Sequence, residues 1–549
     1  MMSDDEIIKK LEETTMNAVQ LQRETLAIIL ERNGGVSYLQ PYLQGYNAPV
    51  ISAATFRRLV PLSSYEDYAD YINRLADGVL DDDNGQPLMS FDNLLYFFYR
   101  LFPPRATAYK VLGVNYAGNL TQTKGGYKAM AASSYPFHSN ERNLLHFLST
   151  AVSPKEVILG SDAYQQIYCH LLCGLVQCDI VDGIRAPYAA GLIRAFSLFE
   201  AKWDQLCMDL ENGFPSSSEI TDLAMRESVI GALSGPQLDL SKRVRSICER
   251  QTWDGIISRL WPNARYIKTV TTGSMRQYYA KLKYYAGELP ILGSDYFASE
   301  CSVAINMDIT QSPETTRYVM LPTGAYFEFL PFYLNKGCAS NDEDTMDFSS
   351  VEVGKMYEVV VTTYRGLFRY RLGDIVKVVG FYNSSPQIEV VMRAPKYSDE
   401  IVTERDLLSA MAAGFQLGVT DAMAAEVVEF ASFLDRELDP KQLKVFVEVK
   451  GCTLLQNEKS EQLLGDLRKC CSLVENGLCG IYKVMKAKGE LGPLLLFVLK
   501  PGSFDRLFEE AVESGSPATQ YKPPKIIRSR TIAELLESSA TVIVAAQDL

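Results

Sequence analysis

Apolar residues recur at helical spacing through the first 33 positions, "MMSDDEIIKKLEETTMNAVQLQRETLAIILERN", where no apolar run is unbroken. The helical region extends to about residue 75, and "SSYEDYADYINRLADG" (63–78) predicts a Ser-capped helix closing on glycine. Beyond it "VLDDDNGQPLMSF" reads as loop, and "NLLYFFYRLF" fits a strand or a buried helix equally. From 153 the pattern sharpens. "SPKEVILG" predicts turn then strand, "SDAYQQIYCHLLCGLV" a capped helix, and "AAGLIRAFSLFEAKWDQLCMDLENG" a long helix ended by glycine. "WDGIISRLWPNARYIKTVTTGSM" predicts a helix running into a strand and a small-residue loop. Strand-like alternation then dominates: "LPILGSDYFASE", "RYVMLPTGAYFEFLPF", "MYEVVVTTYRGLFRYRLGDIVKVVGFY" and "PQIEVVMRAP".

The stretch "RAPKYSDEIVTERDLLSAM" (393–411) looks like a boundary. After it come helix, strand "QLKVFVEVKG" (442–451), helix, strand "GPLLLFVLKPG" (492–502) and helix "SFDRLFEEAVESG". Helices alternating with strands, followed by strand-rich segments, argue an α/β fold. At 549 residues the chain is long enough for two domains, expected over 1–395 and 396–549.

Composition narrows the function classes. The chain is 47% hydrophobic and 22% charged, as ordinary globular proteins are. A net charge of -13 without a basic stripe argues against nucleic acid and acidic membranes as partners. No signal peptide or apolar 18-mer is read, and eleven scattered cysteines fit a reduced, cytoplasmic protein. Three histidines leave little for a metal site, and His170, in an apolar helix, is expected in the core or a pocket wall. GxSxG, HExxH, GxxxxGK[ST] and GxGxxG are absent.

Three loops carry the candidate chemistry: "VTTGSM" (270–275), "YFASE" (296–300) and "RYRLGD" (369–374), each after a β-rich run. Open α/β sheets bind ligands at such strand ends. Glu300 suits Mg²⁺ or water beside a phosphate, since hard cations prefer carboxylate oxygen. Asp374, acceptor-only, suits a ribose diol. Arg393 follows a strand nineteen residues on and could reach the same nucleotide, and Lys522 offers a mobile charge from the second domain. The bland readings stand beside these: "LGD" as a hairpin turn, Glu300 as part of a helix cap, and Lys522 as a solvated loop lysine.

The series "TGSM" (272–275), "SE" (299–300), "YFEFLP" (326–331), "YRLGDIVKVVGFYN" (370–383), "TERDL" (403–407) and "TQYKPPK" (519–525) resembles the plant auxin-responsive acyl-acid amido synthetases. These lie within the acyl-adenylate-forming enzymes, and the similarity covers most of the chain. The resemblance implies a large N-terminal domain of mixed sheets, a β-barrel-like part and flanking helices, with a smaller α+β C-terminal lid. It implies use of ATP and Mg²⁺ to adenylate a hormone carboxylic acid of auxin, jasmonate or benzoate type, which an amino acid then attacks. It places Tyr296 by the adenine, Ser299 and Glu300 by phosphate and metal, Asp374 on the ribose and Arg393 on the nucleotide. Lys522 becomes the lid lysine, with Glu300 the second catalytic residue, and Thr272, Gly273 and Ser274 line the acyl and adenylate pocket.

The sequence departs from that pattern in three places. The family's Ser/Thr/Gly-rich phosphate loop and the helix after it are missing near 78–80, and "TQTKGGYK" (121–128) is the nearest substitute. Phe297 stands where the family has glycine, and Glu400-Ile401 where it has Asp-Lys. Two readings therefore stay open: a working amido synthetase, or a catalytically impaired relative, truncated or alternatively spliced, that binds an acyl acid or a protein partner.

Overall fold

The computed structural model describes residues 4–46, 50–77, 105, 107–117, 120–130, 134–138, 141–250, 252–333, 345–394, 401–418, 426–450, 460–514, 518 and 521–547. Both "NLLYFFYRLF" and the block near 78–80 lie outside them. The chain forms two compact units, chiefly Met1–Phe332 with Ala339–Val390, and Val391–Ser516 with Tyr521–Leu549.

The first unit holds a parallel sheet and an antiparallel one. Strand β1 (Lys110–Gly113) precedes a small hairpin of β2 (Thr121–Gln122) and β3 (Lys128–Ala129). With β4 (Val181–Tyr188), β5 (Tyr266–Val270) and β6 (Ile291–Leu292), β1 makes a parallel sheet in the order β1-β4-β5-β6. The helices 163–176 and 189–212 form as the sequence predicts, capped by the Asp162 side chain and ended by left-handed Gly213 respectively. "SPKEVILG" differs from expectation. Lys155–Ile158 is a helical turn, and Gln166 donates to the carbonyls of Val157 and Ile158 that a strand would have paired. The central strand β4 is unreadable from sequence because it carries glycine and proline and lacks alternation. Gly183 is required there, since a Cβ would sit 2.1 Å from the Tyr266 ring. His170 is fully buried, its Nδ1 2.6 Å from Ser153 Oγ and its Nε2 2.8 Å from the Asn115 carbonyl.

The antiparallel sheet comprises β7 (Tyr296–Phe297), β8 (Ser302–Asn306), β9 (Tyr318–Met320), β10 (Tyr326–Phe332), β11 (Met356–Thr362), β12 (Tyr370–Tyr382) and β13 (Ser385–Arg393), ordered β10-β11-β12-β13-β9-β8-β7. The N-terminal helix Ala18–Asn33 is pinned to it by buried Gln22, which donates to Pro322 and Ala325 carbonyls and accepts from the Phe327 amide.

The second unit is an α+β sandwich. Its strands β14 (Glu426–Asp435), β15 (Gln442–Lys450), β16 (Leu495–Leu499), β17 (Ile526–Ile527) and β18 (Ala540–Ala545) run in the order β17-β14-β15-β16-β18. Along β15, Val445, Val447 and Val449 share a core with helices Glu404–Gly418 and Ser460–Gly477. Phe446 points to the other core, with Phe504 and Leu536. No helix among the described residues is long and apolar enough to cross a membrane.

Candidate functional site

Strand β5 leaves the parallel sheet at Thr271–Thr272 and enters a 3₁₀ turn, Gly273–Tyr278. Thr272, Gly273 and Ser274 are half-buried here, and Thr272 Oγ1 lies 2.9 Å from the Tyr318 hydroxyl. Tyr318, on β9, is 3% exposed, and burial pushes its phenol up to about 12, so it stays neutral. Its ring lies 5.9 Å from that of Tyr296 at 56°. Tyr296 in turn donates to Asp374 Oδ2 at 2.5 Å. The structure thus brings Thr272, Tyr296 and Asp374 into one chain of contacts, joined through Tyr318. Nothing in "RYVMLP" distinguishes that tyrosine from an ordinary buried strand aromatic.

The hairpin-turn reading of "LGD" is corrected. Strand β12 runs unbroken through it, and Leu372, Gly373 and Asp374 bulge opposite Val359 alone, between the pairs Arg371↔Val360 and Ile375↔Glu358. Gly373 has φ +71°, the left-handed region that favours glycine. The neighbouring arginines hold this strand in place. Arg369, itself at φ +47°, grips buried Glu328, Thr345 and the carbonyls of Arg57 and Val60 at 2.6–3.1 Å. Those carbonyls close the helix Ala53–Leu59, so the guanidinium also serves as its C-terminal cap. Arg371 pairs with Glu358 on β11 at 2.6 and 3.0 Å.

Ser299 and Glu300 sit at the tip of the β7–β8 hairpin, closed by Ala298 N–H donating to the Cys301 carbonyl at 3.0 Å. This places two of the three predicted loops in an antiparallel sheet; only the Thr272 loop leaves a parallel strand. Ser299 is exposed and Glu300 half-buried, and no helix follows for Glu300 to cap. Burial pushes the adjacent Cys301 thiol up to about 12, and the Glu300 charge adds to this while Arg365 opposes it. Phe297 is 44% exposed, so its ring fills no packed part of the Tyr296–Asp374 contact.

Arg393 and Lys522 belong to the second unit, where both are exposed. There they act with Lys525 and Arg528 on one carboxylate, Glu404, whose pKa burial raises and the four cations pull down. Glu404 opens its helix beside a reciprocal cap, Thr403 N–H and Oγ1 donating to Asp406 Oδ2 and Asp406 N–H to Thr403 Oγ1. Lys525 is buried against Glu429, its ammonium 4.6 Å from the Phe430 ring centre. "TERDL" announces the helix start; that Glu404 gathers the cations is visible only in three dimensions.

Most turn amides of the hairpin "TQTKGGYK" are committed within the protein. Thr123 N–H donates to Tyr127, Gly125 N–H to Ala76, Gly126 N–H to Thr123, and Tyr127 N–H to Thr123 Oγ1. Lys124 faces Asp77 at 3.1 Å. Among the described residues no three His, Cys, Asp or Glu side chains gather as a metal site.

The GH3 family N-terminal domain matches residues 7–98 and 79–291, the central domain 318–393 and the C-terminal domain 405–531. A probable indole-3-acetic acid-amido synthetase of Oryza sativa subsp. japonica is 48% identical over 407 residues, 72% of this chain and 82% of that protein. An indole-3-acetic acid-amido synthetase of Arabidopsis thaliana is 32% identical over 582 residues, 97% of this chain and 94% of its own. A solved acyl acid amido synthetase superposes with a TM-score of 0.84 at 27% identity, covering 98% of this chain and 97% of that one.

Proposed function

We propose, since this chain belongs to the GH3 family, that it is an ATP-dependent acyl-acid-amido synthetase joining an amino acid to a plant-hormone carboxylic acid through an acyl-adenylate. An auxin-type acid is the first substrate to try, because two of its relatives are named for indole-3-acetic acid. The observation that carries the reading is the contact chain Thr272–Tyr318–Tyr296–Asp374, which gathers residues of the expected acyl and nucleotide sides at one place.

The chemistry follows from those groups. A carboxylate is a poor electrophile, and transfer of an adenylyl group gives it a good leaving group. Asp374, an acceptor-only carboxylate beside Tyr296, suits a ribose hydroxyl, and the half-buried Tyr296 ring suits an adenine face. A single carboxylate fits Mg²⁺, which usually takes one or two from the protein and the rest from water and phosphate. Glu300 would hold that ion, whose charge would offset the phosphates. Lys522, exposed on its own unit, would supply a point charge as pyrophosphate leaves.

A second reading, an impaired relative that binds acid and nucleotide but adenylates slowly, is favoured by the committed amides of the 121–129 hairpin. ATP–pyrophosphate exchange decides between them. Exchange above background with indole-3-acetic, jasmonic or benzoic acid is expected of the synthetase. Background exchange with all three, alongside measurable acid binding, would establish the second reading.

A further inference from the structure

We infer that Tyr318 is a positioning residue that ties the acyl side of the site to its nucleotide side through the hydroxyl of Thr272 and the ring of Tyr296. The inference rests on the site reading proposed above. Three observations carry it. Strand β9 pairs with both β13 and β8, so the Tyr318 backbone is held on two sides. Its hydroxyl meets Thr272 at 2.9 Å, on the loop leaving the parallel sheet, whereas its ring faces Tyr296 in the antiparallel sheet. Tyr296 then donates to Asp374 on the bulge of β12. One buried side chain therefore links two sheets where the expected acyl and ribose contacts adjoin.

The physical consequence is rotameric. Thr272 is β-branched and stiff about χ1, so one hydrogen bond to a fixed phenol sets both its hydroxyl and its methyl. Tyr318→Phe keeps the buried ring and removes only this anchor. It is expected to raise the KM of the acid about three- to tenfold, the worth of one hydroxyl hydrogen bond, and to leave the KM of ATP unchanged. Thr272→Val should do the same, and the double variant should be no worse than either single one, because both cut one contact. Tyr318→Leu also withdraws the ring from Tyr296 and should raise the KM of ATP. A purely structural role would instead lower Tm without separating the two constants.

The experiment is pyrophosphate exchange on the full chain, with calorimetric titration of AMP and of indole-3-acetic acid as a readout independent of turnover. Acid constants weakened selectively in Tyr318→Phe, non-additive with Thr272→Val, support the inference. Unchanged constants, or additive losses, overturn it while the site reading stands. A wild-type protein that binds neither AMP nor the acid fells the site reading, and the inference with it.

Discussion

At the scale of single residues, Asp374 is placed by the bulge of β12 and by the Tyr296 hydroxyl. Arg369 and Arg371 pair with Glu328 and Glu358, and Asp374, on the bulge of β12, accepts from Tyr296. Replacing Asp374 by alanine should therefore raise the KM of ATP about tenfold or more, the effect of a lost charged hydrogen bond, and that of the acid far less. Steady-state kinetics varying each substrate checks this, and equal effects on both would count against a ribose contact. His170 shows the opposite case, a polar group given to stability. Buried and neutral, it accepts from Ser153 and donates to Asn115, and burial pushes its pKa down to about 4. Unfolding restores ordinary basicity, so the unfolded state binds more protons between pH 6.5 and 4. Stability should fall as pH falls through that window, by on the order of 3 kcal/mol in all. Urea unfolding at stepped pH should show this slope in the wild type and a flatter one in His170→Gln.

At the scale of elements, the bulge of β12 is the most exposed to test. Gly373→Ala puts a Cβ at φ +71°, at a cost of about 1–2 kcal/mol, and should both lower Tm and weaken ATP by displacing Asp374. Loss of Tm with unchanged ATP kinetics would separate the bulge from the site. That bulge also shows where sequence stops informing. Gly-Asp is the composition of a turn and of a bulge alike; only the pairing of Arg371 and Ile375 with β11 tells them apart. The helices 163–176 and 189–212 were readable because cap, apolar face and terminal signal agree. Strand β4 was not, because a strand buried on both faces shows no alternation. Strands β14 and β18 likewise escaped. Of the site, the order of Thr272, Tyr296 and Asp374 was legible, but Tyr318 and Glu404 were not, since contacts between distant segments leave no local pattern.

At the scale of the whole molecule, the proposed synthetase would have to bind a triphosphate at a net charge of -13. Long-range electrostatics therefore opposes nucleotide approach, and local donors must compensate. In the 121–129 hairpin most turn amides are committed within the protein, and Lys124 faces Asp77 in an exposed pair. The contacts proposed at Tyr296 and Asp374 would address adenine and ribose, which ATP and AMP share. Among the described residues the 121–129 hairpin is no cradle for the β- and γ-phosphates, so the impaired reading predicts ATP binding within about threefold of AMP. One charge-assisted hydrogen bond to a phosphate would separate them by about tenfold or more. Titration of both nucleotides, without Mg²⁺ and then with it, measures the gap directly. Near-equal affinities would explain slow adenylation by a protein that still binds its acid. ATP binding thirtyfold tighter than AMP would mean that the triphosphate is held, and substitutions at Lys124, Glu300 and Lys522 would then show by which group.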